Sequence, residues 1–166
     1  MTAFKKQITI DIPKQKVWDI VSDLGSIYRF YPGVRKSYYT TDLTEGVGAA
    51  RICELQPVGK ILETIKHWKN ESGFLLQIDP IEKAPPVKNF TGNFQLRRLD
   101  ERRTEVSLTI NYDMKLGAIG RLLNKLIIRS KMEEGIVGLL EGLKVYSEKG
   151  VEVKDDKMLK NLLQTA

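Results

Sequence analysis

The chain has 166 residues, 42% apolar and 29% charged, with a formal net charge of +6. At about 150 residues per domain this is one domain, and a chain of this size buries about 68–70% of its unfolded surface, so it builds a core without disulfides. One Cys and one His exclude an intramolecular disulfide and argue against a zinc site of ordinary His/Cys type. The longest apolar stretches, such as 136–140, fall far short of the ~18 residues of a membrane span. The start, Met-Thr-Ala-Phe-Lys-Lys, lacks the apolar block of a secretion signal, so a soluble cytoplasmic protein is expected.

Taken in order, Ile8, Ile10 and Ile12 alternate with polar residues and predict a half-buried strand. Pro13 suits the start of a helix, in which Val17, Trp18, Ile20 and Val21 recur at helical spacing until Gly25. Residues 26–30 read as a second short helix, closed by Pro32-Gly33. Strands are then expected at 34–41, 48–55, 60–68, 74–78, 89–99 and 104–114, separated by short Gly-, Pro- and Asn-containing turns. Such a succession implies an antiparallel meander. A long helix is expected over 119–148, with Leu122, Leu126, Ile136, Leu140 and Leu143 as its apolar stripe. Gly135, Gly138 and Gly142 lie on another side of it, either for close packing against the curved sheet or as room for a ligand. Gly150 ends the helix, so the domain is read as residues 1–149. The tail, 150–166, carries an N-cap signal at Asp155-Asp156. Leu159, Leu162 and Leu163 follow at helical spacing, predicting a short docked helix.

This order of elements suggests a helix-grip fold. The segments "ITIDIPKQKVWDIVSDLGSIYRFYPGV", "TEGVGAARICEL", "ILETIKHW", "TGNFQLRRLDERRTEVSLTINYDM" and "LLEGLKVYSE" stand in matching order. Together they resemble the START-like superfamily, most closely its bacterial polyketide cyclase/dehydrase and lipid-transport branch. The resemblance implies an α+β fold. A seven-stranded antiparallel sheet curls around a long C-terminal helix, two short helices follow the first strand, and a cavity lies between sheet and long helix. It also implies a hydrophobic ligand such as a lipid, polyketide or quinone. Some members cyclise their ligand and many only bind it, so a cavity is implied more firmly than a reaction.

Alternation places Phe90, Phe94, Leu108, Ile110 and Tyr112 of the final hairpin towards the helix, and Phe74 extends that face. From the helix, Ile136 and Leu140 would meet them. Ile61, Glu63, Ile65 and His67 share one strand face; Arg51, Cys53 and Leu55 share another. A hairpin centred on Pro57 pairs Arg51 with Glu63 and Cys53 with Ile61, and opposite charges so placed attract. Two placements satisfy this pairing: an ion pair on the cavity wall, orienting a polar group of the ligand, or an exposed pair on the convex face. His67 and Tyr112 are further candidates to meet the ligand. Tyr28, Phe30 and Tyr31 stand where the resemblance puts the entrance, as a gate or as an aromatic plug. Cys53 reads as a small buried apolar residue.

No catalytic motif, metal-ligand spacing or cofactor fingerprint is visible, so no catalytic residue, metal or cofactor is assigned. The basic residues Arg121, Lys125, Arg129 and Lys131, and Arg97, Arg98, Arg102 and Arg103, suit a solvated surface, a transient visit to an anionic membrane, or RNA. "DLGSIYRFYPGV" also resembles the quinone-binding branch, which includes ribosome-associated members. The absence of a stacking platform argues against nucleic acid. The expected function is binding or transport of a hydrophobic small molecule. The alternatives are a cyclase/dehydratase using Glu63, His67 and Arg51, or a quinone-binding, ribosome-associated protein. Oligomeric state is left open.

Overall fold

The N-terminal alternation forms β1 (Thr2–Ile10), which buries Phe4 and Ile10. The computed structural model describes residues 1–115, 117–123 and 127–164. Helix α1 (Lys14–Ser22) follows, with Pro13 at its N-cap and Val17, Trp18 and Val21 buried. A 3₁₀ helix (Leu24–Arg29) is next. Six strands complete the sheet: β2 (Val34–Tyr39), β3 (Ala50–Leu55), β4 (Lys60–Lys69), β5 (Gly73–Glu82), β6 (Val87–Arg98) and β7 (Thr104–Met114). They form a seven-stranded antiparallel sheet in the order β1-β7-β6-β5-β4-β3-β2. Chain neighbours pair throughout except β1, which closes against β7, so each connection needs only a turn or the short helical crossover.

The long C-terminal helix forms, but Leu122 of its expected apolar stripe does not join the core. The described residues give α2 (Gly117–Leu123) and α3 (Arg129–Lys149), the latter preceded by a π turn at 127–128. Leu126 of the expected stripe lies outside the described residues. Leu122 faces solvent, 59% exposed. The buried stripe belongs to α3, where Leu139, Leu140 and Leu143 are buried and Ile136 is half-buried. These side chains cover Ile65, Leu76, Phe94, Leu108 and Ile110 in one continuous core. Each fully buried aliphatic side chain contributes about 1.5–3 kcal/mol. Beside them Trp18, Trp68, Phe74 and Phe94 stack edge and face, with centroid separations of 4.9, 5.7 and 5.1 Å along the chain of rings.

Two fastenings set the position of α3. Lys144 donates to the Thr9 carbonyl at 2.8 Å and to Glu148 at 2.7 Å, while Glu148 accepts from the Asp11 backbone N–H at 2.7 Å. Lys6 of β1 pairs with Glu133 at 2.8 Å. Gly150, at φ 69°, ends the helix in the left-handed conformation that glycine adopts freely. The chain then turns back. Val153 N–H donates to the Arg29 carbonyl at 2.7 Å, and α4 (Asp156–Gln164) begins with Asp155 accepting from the Met158 N–H at 2.8 Å. Leu159 and Val153 are buried against Val145, with Leu162 and Leu163 partly buried beside them.

Candidate functional site

Arg51 and Glu63 come from adjacent strands. The register pairs Arg51 with Glu63 and Cys53 with Ile61, as a hairpin centred on Pro57 requires. Across β4 and β5, Glu63 stands opposite Ile78 and Ile65 opposite Leu76; across β5 and β6, Phe74 stands opposite Phe94 and Leu76 opposite Gly92. Because partners across a ladder share a face, Arg51 and Glu63 belong to the concave, apolar side of the sheet. Both are buried, at 3% and 7% exposure. Of the two placements open to this pair, the convex-face one is therefore excluded.

A network closes around them. Arg51 Nε donates to Glu63 Oε2 at 2.6 Å, and Arg51 Nη1 donates to the Leu24 carbonyl of the 3₁₀ helix. The Cys53 thiol donates to Glu63 Oε2 at 3.4 Å. Ser37 of β2 donates to the Leu24 carbonyl at 3.3 Å. A buried carboxylate and a buried guanidinium each carry a large desolvation cost, which direct pairing and the extra hydrogen bonds offset. Burial alone would weaken the Arg51 charge, but the Glu63 carboxylate holds its pKa above the ordinary value. Burial pushes the Cys53 thiol up to about 12, against the opposing pull of Arg51. Tyr31 reaches the same neighbourhood: burial first, then the charge of Glu63, pushes its hydroxyl up to about 12. At neutral pH Cys53 and Tyr31 are therefore neutral donors.

The segment 28–32 lies between this cluster and α3. The Tyr31 hydroxyl approaches Gly135, Pro32 sits beside Gly138, and the Phe30 carbonyl rests on Gly142. The glycine side of the helix thus serves close packing, and its partner is this segment, not the sheet. Phe30 is buried, with its ring 6.0 Å from that of Tyr146. Tyr28 stays 38% exposed at the surface.

Phe74, Phe94, Leu108, Ile110 and Leu140 are buried, and Phe90 and Ile136 are half-buried. Tyr112 is fully buried, its ring edge-on to Phe90 at 6.2 Å. His67 departs from the expectation: it is exposed on the outer face. The register of β4 on β5 shifts between Ile65 and His67, and this bulge reverses the alternation. Trp68 takes the inward position, against Trp18 and Phe74. Strict alternation in "ILETIKHW" carries no sign of the bulge. The sequence reading also missed Ser37 and the Leu24 carbonyl as partners of the pair. Ser37 was within reach of it, since β2 pairs Ser37 with Cys53.

At the far end of the sheet, Asp11, Asp100, Glu101, Arg102 and Arg103 line an open groove of about 550 Å³. Arg103 and Asp100 pair across it at 2.7 Å, and Asp11 pairs with Lys144 at 3.3 Å. Among the described residues no helix is long and apolar enough to cross a membrane.

An antiparallel sheet with short helices after β1 and a C-terminal helix across its concave face is the helix-grip architecture, and its inner wall here carries a buried ion pair. The family described as polyketide cyclase/dehydrase and lipid transport matches residues 1–148, and the chain belongs to it. No curated protein matches the chain. Solved structures share the fold at low identity. A protein from Thermus thermophilus is 20% identical, with a TM-score of 0.69 over 88% of this chain and 97% of that one. The Zhui aromatase/cyclase from a Streptomyces species is 15% identical, with a TM-score of 0.66 over 92% and 99%. A START superfamily protein from Mycobacterium smegmatis is 14% identical, with a TM-score of 0.65 over 84% and 94%.

Proposed function

We propose that this chain binds a hydrophobic small molecule between the concave face of the sheet and α3. The ligand would carry an acceptor oxygen on an apolar body, as lipids, polyketides and quinones do. The observation behind this reading is the Arg51–Glu63 pair, buried at 2.6 Å on a face whose other side chains are mostly apolar. Packing does not require such a pair, since well-packed apolar residues of equal volume are often as stable or more so. A guanidinium has five N–H groups, and Glu63 and the Leu24 carbonyl engage two of its nitrogens. The remaining N–H groups and the neutral Tyr31 hydroxyl are the donors we assign to the ligand oxygen. Phe74, Phe90, Phe94, Leu108, Ile110, Tyr112, Ile136 and Leu140 would supply apolar contact, with Tyr28 and Phe30 at the way in.

Binding without turnover accounts for these residues better than cyclisation. With His67 outside, acid–base chemistry would fall to Glu63, whose carboxylate is held by Arg51 and Cys53.

The test is titration with an apolar fluorescent probe, then displacement by a quinone and by its oxygen-free hydrocarbon analogue. The wild type should prefer the quinone. An Arg51→Met/Glu63→Leu variant should lose about 1.5–3 kcal/mol of that preference, the range for a charged hydrogen bond, and keep only what Tyr31 supplies. Absence of probe binding to the wild type would overturn the proposal.

A further inference from the structure

Residues 115–131, KLGAIGRLLNKLIIRSK, contain five Lys or Arg and no Asp or Glu. In the described part of this segment, Ile119 is 70% exposed, Leu122 59% and Ile127 49%. Single apolar side chains at a surface are ordinary, but Ile119 and Leu122 stand three residues apart on α2, neighbours on one helix face, and Ile127 is exposed further along the segment. The antiparallel topology puts more of the same kind at that end of the sheet. Val58, in the β3–β4 turn, is 52% exposed, and Ile81, near the end of β5, is 54% exposed. Lys83, Lys88 and Lys115 are exposed there too. Three nearby acids are already paired: Glu82 with Lys60 at 3.9 Å, Asp113 with the N-terminal amine at 3.0 Å, and Glu133 with Lys6 and Arg129 at 2.8 Å each; Glu134 accepts from Ser130 at 3.2 Å.

We propose that this end of the molecule docks on an anionic lipid surface. Ile119, Leu122 and Ile127 enter the acyl boundary, and Lys83, Lys88 and Lys115 meet the headgroups. Exposed aliphatic side chains ringed by cations suit that partner: apolar contact and attraction to anionic lipid act together. RNA would need flat rings on which bases stack, and the exposed side chains here are aliphatic. A second copy would bring one basic face against another. The inference is independent of what the interior holds.

The experiment is co-sedimentation of the full chain with vesicles of mixed phosphatidylglycerol and phosphatidylcholine, and with vesicles of phosphatidylcholine alone. The wild type should bind the anionic vesicles, about tenfold or more weaker without anionic lipid, and weaker as salt rises. Ile119→Asp/Leu122→Asp should reduce binding about tenfold or more, and so should Lys83→Glu/Lys115→Glu. All four positions are exposed, and thermal melts of both variants check that folding is kept. Equal sedimentation of wild type and both variants overturns the proposal. So does binding to RNA without binding to vesicles, or a dimer abolished by Ile119→Asp/Leu122→Asp when vesicles are not bound.

Discussion

Gly142 of α3 rests directly on the backbone carbonyl of Phe30, so closely that a Cβ at position 142 would overlap that oxygen. This contact joins the helix to the segment carrying Tyr31, and through it to the Arg51–Glu63 wall.

Substituting two glycines on this helix should therefore have opposite effects. Ala gains about 1 kcal/mol over Gly in a helix interior. At Gly138 the nearest atom to an added Cβ is Pro32 Cγ, at 4.0 Å, an ordinary contact. Gly138→Ala should raise stability by about 0.5–1 kcal/mol. At Gly142 the clash is with backbone, and overpacking costs about 1–3 kcal/mol. Gly142→Ala should be destabilising despite its better propensity. Denaturant unfolding of both variants checks the signs.

Glu63→Gln keeps the shape of the side chain and removes its charge. Arg51 is then buried without a counter-ion, and loss of one partner of a buried pair costs about 3–5 kcal/mol. Arg51→Met/Glu63→Leu should recover most of that loss. Unfolding followed by the fluorescence of Trp18 and Trp68 measures both; equal destabilisation of single and double variants would contradict the pairing argument.

The raised pKa values of Cys53 and Tyr31 predict alkaline sensitivity. Both groups are neutral when protonated, and the folded state holds their protons more tightly than the unfolded chain. Their contribution is complete below the ordinary thiol value of 9.0 and is lost as pH rises towards about 12. Stability should fall progressively above about pH 9, and Cys53→Ser should flatten the onset of that fall. At about pH 8 the thiol should resist aromatic disulfide reagents until the protein unfolds.

Leu159 and Val153 are buried on Val145. Leu159→Ala should cost about 2–3 kcal/mol, within the range for a buried leucine. Deleting 151–166 should lower the thermal midpoint further, because the Val153–Arg29 hydrogen bond goes with it.

Much of this was legible in the sequence, for local reasons. Alternating Ile, Phe and Leu mark strand faces, and turn residues mark their ends, so sheet and helix order followed from pattern alone. The Arg51–Glu63 pairing followed from one hairpin centre. The orientation of His67 did not, because one bulged residue inverts a face without changing composition. The exposure of Leu122 did not either: helical spacing gives a stripe, but which turns meet the sheet is a tertiary matter. Tyr31 is one aromatic of three near a loop in the sequence, and its packing on Gly135, within the field of Glu63, follows only from how the segment 28–32 folds onto α3.

The most direct measurement is native mass spectrometry of the protein purified from its own cells. An adduct of one apolar, oxygen-bearing small molecule per chain is expected, released on denaturation. This adduct should be diminished or exchanged in Arg51→Met/Glu63→Leu. A bare chain mass, together with failure of the purified protein to take up any apolar probe, would contradict the proposed binding.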